Sequence, residues 1–381
     1  MKLTVTHRAL ADALTVAGRA LPGRPPVPVL AGLKLHAADD QLAVTGYDYD
    51  TSAYATVAAR ITEPGTVLVP GRLLTDIART LRSDVHITTT DTTATLESGS
   101  AKFTLRTLPL DEYPKLPTLP ALSNASGMVP GADLAEAVSQ VATAAARDDS
   151  LPVLTGVQMN IDGTTLTLAA TDRYRFAVRT LEWEPQGGAG TVGPISQTLL
   201  PAKPLMDTAK ALAGDPGVFL NLPDQSYGIT GFTGDTQRIT LRGLEGELPK
   251  YKNLFPTEFA AQAAVNTEAL AAAVKRVALV AERNTPVRMT FTKSAVTIEA
   301  GTSDDAQAVD GTDAAFSVAS GEYDTFDVAF NPHFLLDGLT AIGHETTRFQ
   351  FTHPHKPAML RADSGPDSRL QYLLMPVRLS G

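Results

Sequence analysis

The chain has no cysteine in its 381 residues. That rules out disulfides and thiolate metal sites. No apolar run approaches the roughly 20 residues a membrane helix needs, and the Met1-Lys2-Leu3 start carries no signal-peptide core. These absences point to a cytoplasmic protein with no membrane partner. Enzyme signatures are missing as well. There is no Gly-x-x-x-x-Gly-Lys-[Ser/Thr] phosphate loop and no Gly-x-Ser-x-Gly elbow. The glycine-rich run at residues 186–190 reads as a hairpin loop. His353 and His355 sit in an exposed-looking His-Pro-His turn without nearby carboxylates. Asp148-Asp149 and Asp304-Asp305 could serve as acid/base pairs, but they lie beside helix ends or loops, where carboxylates are ordinarily solvated. No catalytic residue, metal site or cofactor is expected.

What is present is a repeat. Val69-Pro70-Gly71-Arg72 leads to Asp76, Leu200-Pro201-Ala202-Lys203 leads to Asp207, and Phe330-Asn331-Pro332-His333 leads to Asp337. Each copy ends a strand, turns at proline or asparagine, and enters a helix with apolar residues three to four apart. Asp76 and Asp207 lie 131 apart, and Asp207 and Asp337 lie 130 apart. That period is a whole domain rather than a solenoid unit. We expect three domains, at residues 1–122, 128–252 and 256–381, each long enough to bury its own core.

Within each module the pattern is helix, several alternating strands, cassette helix, and further short strands. The first helices fall at residues 8–21, 133–146 and 267–282. Strands are expected at 28–36 and at 152–157, where Pro28 and Pro152 lie 124 apart. Residues 101–106 and the Thr240-Leu241-Arg242 strand close the first two modules. The proline-bearing stretch 114–131 and the stretch 246–256 read as linkers. Two single-striped helices and many antiparallel strands per module describe an α+β layer architecture with helices on one face of a sheet.

Net charge is −9, which argues against nucleic acid only if charge is evenly spread. It is not. The six helical stretches hold eleven Lys and Arg against eight Asp and Glu, leaving −12 on the remainder. Arg19, Arg72, Arg79, Arg82, Arg147, Lys203, Lys210, Lys275, Arg276 and Arg283 supply the positive faces, with Arg24 just beyond the first helix. One reading is a solvated helix face. The other is a mildly basic helical surface that meets phosphates without reading bases.

Six motifs in order carry a family resemblance. They are Gly23-Arg24-Pro25 with Pro28-Val29-Leu30, then Val69-Pro70-Gly71-Arg72, and Leu105-Arg106-Thr107-Leu108-Pro109. Thr171-Asp172-Arg173-Tyr174-Arg175-Phe176, Leu248-Pro249-Lys250-Tyr251 and Tyr372-Leu373-Leu374-Met375-Pro376-Val377-Arg378 follow. Over its full length the chain resembles the bacterial sliding clamps, the β subunits of DNA polymerase III. Its high Ala, Asp and Arg usage is similar to actinobacterial members.

The resemblance implies a head-to-tail, ring-shaped homodimer with helices inside and sheet outside. Such a ring surrounds double-stranded DNA without sequence preference and confers processivity, with no catalysis of its own. It implies DNA-facing roles for Arg24, Arg72, Arg79, Arg82, Arg147, Lys203, Lys210, Lys275 and Arg276. It also implies a pocket for short peptides from the replicative polymerase α subunit, the clamp-loader complex and other proteins. Leu154, Thr171, Arg173, Tyr174, Arg175, Phe176, Pro249, Leu254, Leu373, Met375, Pro376, Val377 and Arg378 would build it. Asn253 stands where the family is often basic. The dimer seam would use the strand containing Phe103, Leu105 and Leu108, with Leu279 near the joint. An alternative within the resemblance is a paralogue whose altered pocket escapes a clamp-binding inhibitor.

Overall fold

A computed structural model describes residues 1–119, 126–148, 150–186, 196–223, 228–281, 285–303, 306–321, 323–364 and 369–378. The chain divides into two compact units. The first comprises residues 1–135, 162–164 and 183–244; the second comprises 136–161, 165–182 and 245–381.

Six α-helices lie among the described residues: α1 (His7–Ala17), α2 (Gly71–Thr80), α3 (Gly131–Ala142), α4 (Ala202–Ala211), α5 (Thr267–Val277) and α6 (Pro332–Ile342). The cassette behaves as its spacing requires. Strands Gly65–Pro70, Ser196–Pro201 and Phe326–Phe330 run directly into α2, α4 and α6. Proline occupies the N-cap of α2 and α4 without a side-chain cap, whereas Asn331 caps α6 by accepting from the amides of His333 and Phe334. Gly343, at φ 58°, ends α6 in the left-handed region.

The helices bury one stripe each. Leu10, Ala13, Leu14 and Ala17 of α1 and Leu74, Ile77 and Ala78 of α2 join Leu33, Leu35, Leu42, Val44, Val67 and Val69 in one core of the first unit. Each fully buried leucine contributes roughly 2 kcal/mol relative to exposure. In the second unit Leu270, Ala273, Val274 and Val277 of α5 and Leu335 and Leu339 of α6 are buried. Phe291, Phe316, Phe326, Phe349 and Phe351 pack there with ring centroids 4.5–6.3 Å apart.

Several boundaries differ from the sequence reading. Residues 28–31 and 152–155 are 3-10 turns, so the strands begin at Gly32 and Gly156. Proline at the first turn position presets that geometry. The first helices end earlier than expected, α1 at Ala17, α3 at Ala142 and α5 at Val277. Each module also opens on a strand the periodicity missed: Lys2–Val5, Ser126–Val129 and Ala261–Asn266. Ser126–Val129 pairs with Val218–Asn221, so the stretch 114–131 is not wholly linker. The 186–190 hairpin, Asp149, Asp304, Asp305 and Arg283 lie largely or wholly outside the described residues.

Two sheet junctions repeat. In the first unit the strand Gln237–Arg242 pairs antiparallel with Thr51–Ala58, in the register Gln237↔Ala55 to Leu241↔Thr51. In the second, Leu370–Leu374 pairs with Arg175–Glu182, in the register Leu370↔Arg179 to Leu374↔Arg175. Each joins the last strand of one module to the strand after the Asp turn of the module before. The two corresponding strands left over are Ala101–Arg106 and Ala306–Val318. Ala101–Arg106 is the end strand of its sheet. Ala306–Val318 pairs along residues 306–313 only with Ala295–Ser303, because Ala261–Asn266 covers only residues 314–318 of its other side. Both are open edges among the described residues.

Candidate peptide-binding groove

The Asp172 turn organises the second unit's site. Asp172 Oδ1 accepts from the amides of Tyr174 (3.0 Å) and Arg175 (3.1 Å). Thr171 Oγ1 accepts from the Arg173 amide (3.1 Å) and donates to the Arg175 carbonyl (2.6 Å). These bonds hold Arg173 at φ 80°, a region that L side chains seldom occupy. Asp48 makes the same turn in module one, accepting from the amides of Asp50 (3.0 Å) and Thr51 (2.6 Å), with Tyr49 at φ 77°.

Beneath the turn Arg175 is buried, its side chain 2% exposed. Its guanidinium donates to Asp172 Oδ2 at 2.9 Å, to Asp337 Oδ2 at 2.7 Å and to the Tyr372 hydroxyl at 3.3 Å, and it lies 4.6 Å over the Phe334 ring. Burial by itself would lower the Arg175 value; Tyr372, Asp337 and Asp172 outweigh it and hold it above the ordinary one. Burial pushes the Tyr372 phenol up, and the nearby guanidinium only partly offsets this. Tyr372 in turn donates to the Phe334 carbonyl at 3.4 Å. Asp337 also accepts from Arg147 at 3.3 Å.

Two adjoining cavities share Leu154, Arg173 and Arg175. One, of about 180 Å³, is lined by these with Thr171, Phe176, Pro249, Leu254, Pro357, Leu373 and Met375. The other, of about 340 Å³, adds Tyr174, Arg147, Asp148, Asp172, His333, Phe334 and Asp337 among others. Tyr174 stacks on Phe334 at 5.8 Å, and the Met375 amide donates to the Tyr174 carbonyl at 2.8 Å. Phe176 packs on Tyr251 (4.9 Å) and Phe255 (6.0 Å), which fixes the segment carrying Pro249 and Leu254. Tyr174, Leu254 and Met375 are 55%, 52% and 42% exposed and form an apolar rim.

The structure therefore brings together Leu154, Thr171, Arg173, Tyr174, Arg175, Phe176, Pro249, Leu254, Leu373 and Met375. Asn253, Val377 and Arg378 are exposed and Pro376 half-buried, and none of the four lines either cavity. Arg175 is scaffold more than lining, because its guanidinium is spent on buried partners. Sequence reasoning missed Pro357, Phe334 and Asp337. The last two had a signal, since both lie in the third cassette.

The basic residues are dispersed over both units: Arg72, Arg79, Lys203, Lys210, Lys275 and Arg276 lie on α-helices, whereas Arg24, Arg82 and Arg147 lie beyond helix ends, so the expected helical stretch over 131–147 does not reach Arg147. In the first unit, Arg24, Arg72, Arg79, Arg82, Lys203 and Lys210 are exposed. Arg72 donates to the carbonyls of Pro22 (3.0 Å) and Gly23 (3.2 Å), and Arg19 donates to the Asp207 carbonyl. A cavity of about 400 Å³ between α1 and α2 is lined by Arg19, Arg72, Arg79 and Asp76. In the second unit Lys275 is exposed and Arg147 is 83% exposed. Arg276 Nε is bonded to Asp310 Oδ2 at 2.6 Å, which pulls the Asp310 carboxyl below its usual value. At the expected seam Leu279 is 85% exposed, Phe103 and Leu108 are half-buried, and Leu105 points into the module-one core at 5%. His353 and His355 stand 5.4 Å apart, with no metal-ligating cluster among the described residues.

Comparison with known proteins is consistent across the whole chain. Family models for the N-terminal, central and C-terminal domains of the DNA polymerase III beta subunit match residues 1–117, 128–250 and 252–378. The Beta sliding clamp of Streptomyces coelicolor is 51% identical, with all of both chains covered. The Beta sliding clamp homolog GriR of Streptomyces muensis is 42% identical over 99% of each. Among solved structures, the DNA polymerase sliding clamp of Bacillus subtilis superposes with a TM-score of 0.89 at 24% identity, with both chains covered completely. That likeness establishes the fold of three clamp modules.

Proposed function

The chain belongs to the DNA polymerase III beta subunit family, the non-catalytic processivity factors of replication, and from that premise we propose how it works as a sliding clamp. Two protomers join head to tail into a closed ring around duplex DNA. The ring tethers the replicative polymerase α subunit, and the clamp loader and other proteins dock on it through short peptides. Its place is the cytoplasm, at replication forks. Identity is higher to the Streptomyces coelicolor clamp than to GriR, which favours this reading over a paralogue with an altered pocket.

The pair of open edges carries the proposal. Two seams of one design are already made within the chain, and each open edge is half of a third. Copying the internal registers onto that seam pairs Ala101 with Asp310 and Leu105 with Ala306 of a second copy. Phe103 then lies opposite Ala308 on one face of the joined sheet, the 67% exposed Val309 falls opposite Lys102 on the other, and Leu279 supplies further apolar area. A free edge beside apolar surface is a liability that closure removes.

The charge on the helices suits DNA held topologically. Eleven cations with eight interleaved acids bind phosphates weakly, and the weak binding permits sliding. Protein loaded onto nicked circular DNA by its ATP-driven loader is expected to survive a high-salt wash. A single cut that linearises the circle should release it. Loss of the loaded protein from the intact circle in salt would refute topological binding.

A further inference from the structure

We propose that Arg276, which the family resemblance places against DNA, instead prepares the open edge of the second unit for closure by a second copy, and that it does so by neutralising Asp310. The inference rests on the head-to-tail reading and names an ion pair that the seam needs.

The free part of the edge strand Ala306–Val318 alternates. Gln307, Val309, Gly311 and Asp313 are exposed. Ala308, Asp310 and Thr312 are half-buried, and by the period of two they share the side of Ala314 and Phe316, which are buried in the core. Asp310 therefore lies on the helix side of the sheet. Arg276, in the last turn of α5, reaches it with Nε 2.6 Å from Oδ2. Asp310 Oδ1 accepts from the Gly311 amide at 2.8 Å. In the protomer the Asp310 side chain is still 26% exposed and that of Arg276 61%. A pair standing partly in water contributes little by itself.

Closure changes its surroundings. In the register copied from the two seams within the chain, Asp310 falls opposite Ala101 of the second copy. Those two seams show what becomes of this strand position once a neighbour covers it. In the first unit it is Ala55, opposite Gln237 and 3% exposed. In the second it is Arg179, opposite Leu370, with its side chain 13% exposed. Arg179 pairs with Glu136 of α3 at 3.5 Å. A closed seam thus holds here either a small apolar side chain or a charge matched from the first helix of its own module. The open edge has the second arrangement with the signs exchanged, the carboxylate on the strand and the guanidinium on the helix. Without Arg276, Asp310 would enter the seam unpaired, and a covered charge that has lost its partner is costly. A ring of two protomers has two such seams, so the cost counts twice.

The test is sedimentation equilibrium on the full chain. Arg276→Met keeps an apolar stem and strands Asp310. The protomer should fold, because Asp310 there keeps water and the Gly311 amide, but the dimer dissociation constant should rise roughly tenfold or more. Adding Asp310→Asn should bring it back towards that of the unaltered chain, since the stranded charge is gone. Arg276→Glu combined with Asp310→Arg copies the signs of the second seam and should also dimerise. That exchanged pair carries the test even if the single variant unfolds: an exchanged pair that folds and stays monomeric overturns the proposal. So does an unchanged dimer in Arg276→Met, or a loss that Asp310→Asn leaves unrepaired. Weaker binding of duplex DNA by Arg276→Met with its dimer unchanged would return Arg276 to the DNA-facing residues. Each of these results leaves the head-to-tail ring standing. An unaltered chain that sediments only as a monomer overturns the ring as well.

Discussion

Replacing Arg175 with methionine isolates what the buried network contributes. The substitution keeps an unbranched apolar stem and removes a guanidinium on a side chain that is 2% exposed. Asp172, 10% exposed, is then stranded, although it keeps its two backbone amide donors at 3.0 and 3.1 Å. Asp337 is less affected, being 31% exposed and still paired with Arg147. Breaking a buried ion pair from one side costs about 3–5 kcal/mol. The retained amides place this case at the lower end, about 3 kcal/mol. A chain of several modules need not unfold in one step, so the loss is best read locally. Amide hydrogen exchange should show the strands Arg175–Glu182 and Leu370–Leu374 losing protection, while Gly32–Ala38 in the first unit keeps its own. Adding Asp172→Asn should recover part of the loss, with a coupling on the order of 1–2 kcal/mol, because the stranded charge is gone. A cost under about 1 kcal/mol, or strictly additive losses, would show that these groups are effectively solvated and that the network is not the scaffold described above.

Two further outcomes test the assembly and the groove. Leu279→Asp puts a charge where an apolar contact is proposed; because Leu279 is 85% exposed in the protomer, the chain should fold normally and sediment as a monomer, and an unchanged dimer would remove Leu279 from the interface. Deleting residues 375–381 takes away Met375 and the amide bond to Tyr174, so a fluorescent peptide from the polymerase's clamp-binding motif should lose about 2 kcal/mol or more of binding with the proposed dimer intact; equal binding would place the groove elsewhere.

The repeat was legible because its spacing is set by packing. Pro70, Pro201 and Asn331 each close a strand and open a helix, and the apolar stripe behind them must face a core. The opening strands were not legible. Lys2–Val5 and Ser126–Val129 have only four residues, too few for alternation to stand out. Half of the groove's logic was also hidden. Thr171 to Phe176 could be assigned by motif, but no local pattern shows that Arg175 turns inward to Asp337, 162 residues away. Nor could spacing show that Leu105 faces the core while Leu279 stands free. Those are tertiary facts, decided by which face of a strand or helix the rest of the chain covers.

The Asp turn of module one has a consequence for valence. There the Tyr49 carbonyl accepts from the Tyr47 hydroxyl (3.4 Å) and from Arg242 (3.3 Å), and Arg242 also pairs with Asp50 at 3.3 Å. Tyr113 from the following segment is half-buried, close enough to Tyr47 and Asp48 for their charge to add to the desolvation that pushes its phenol up. The chain's own side chains thus brace the turn at the first junction, whereas Tyr174, Leu254 and Met375 stand exposed at the second. If the groove binds peptides as proposed, each protomer offers one such site and the proposed pair offers two. On the proposed function, a polymerase held at one of them would leave the other for a second partner, at an effective concentration set by geometry rather than by its abundance in the cell. Exchange between the two then becomes a local competition, decided by dissociation rates and not by diffusion.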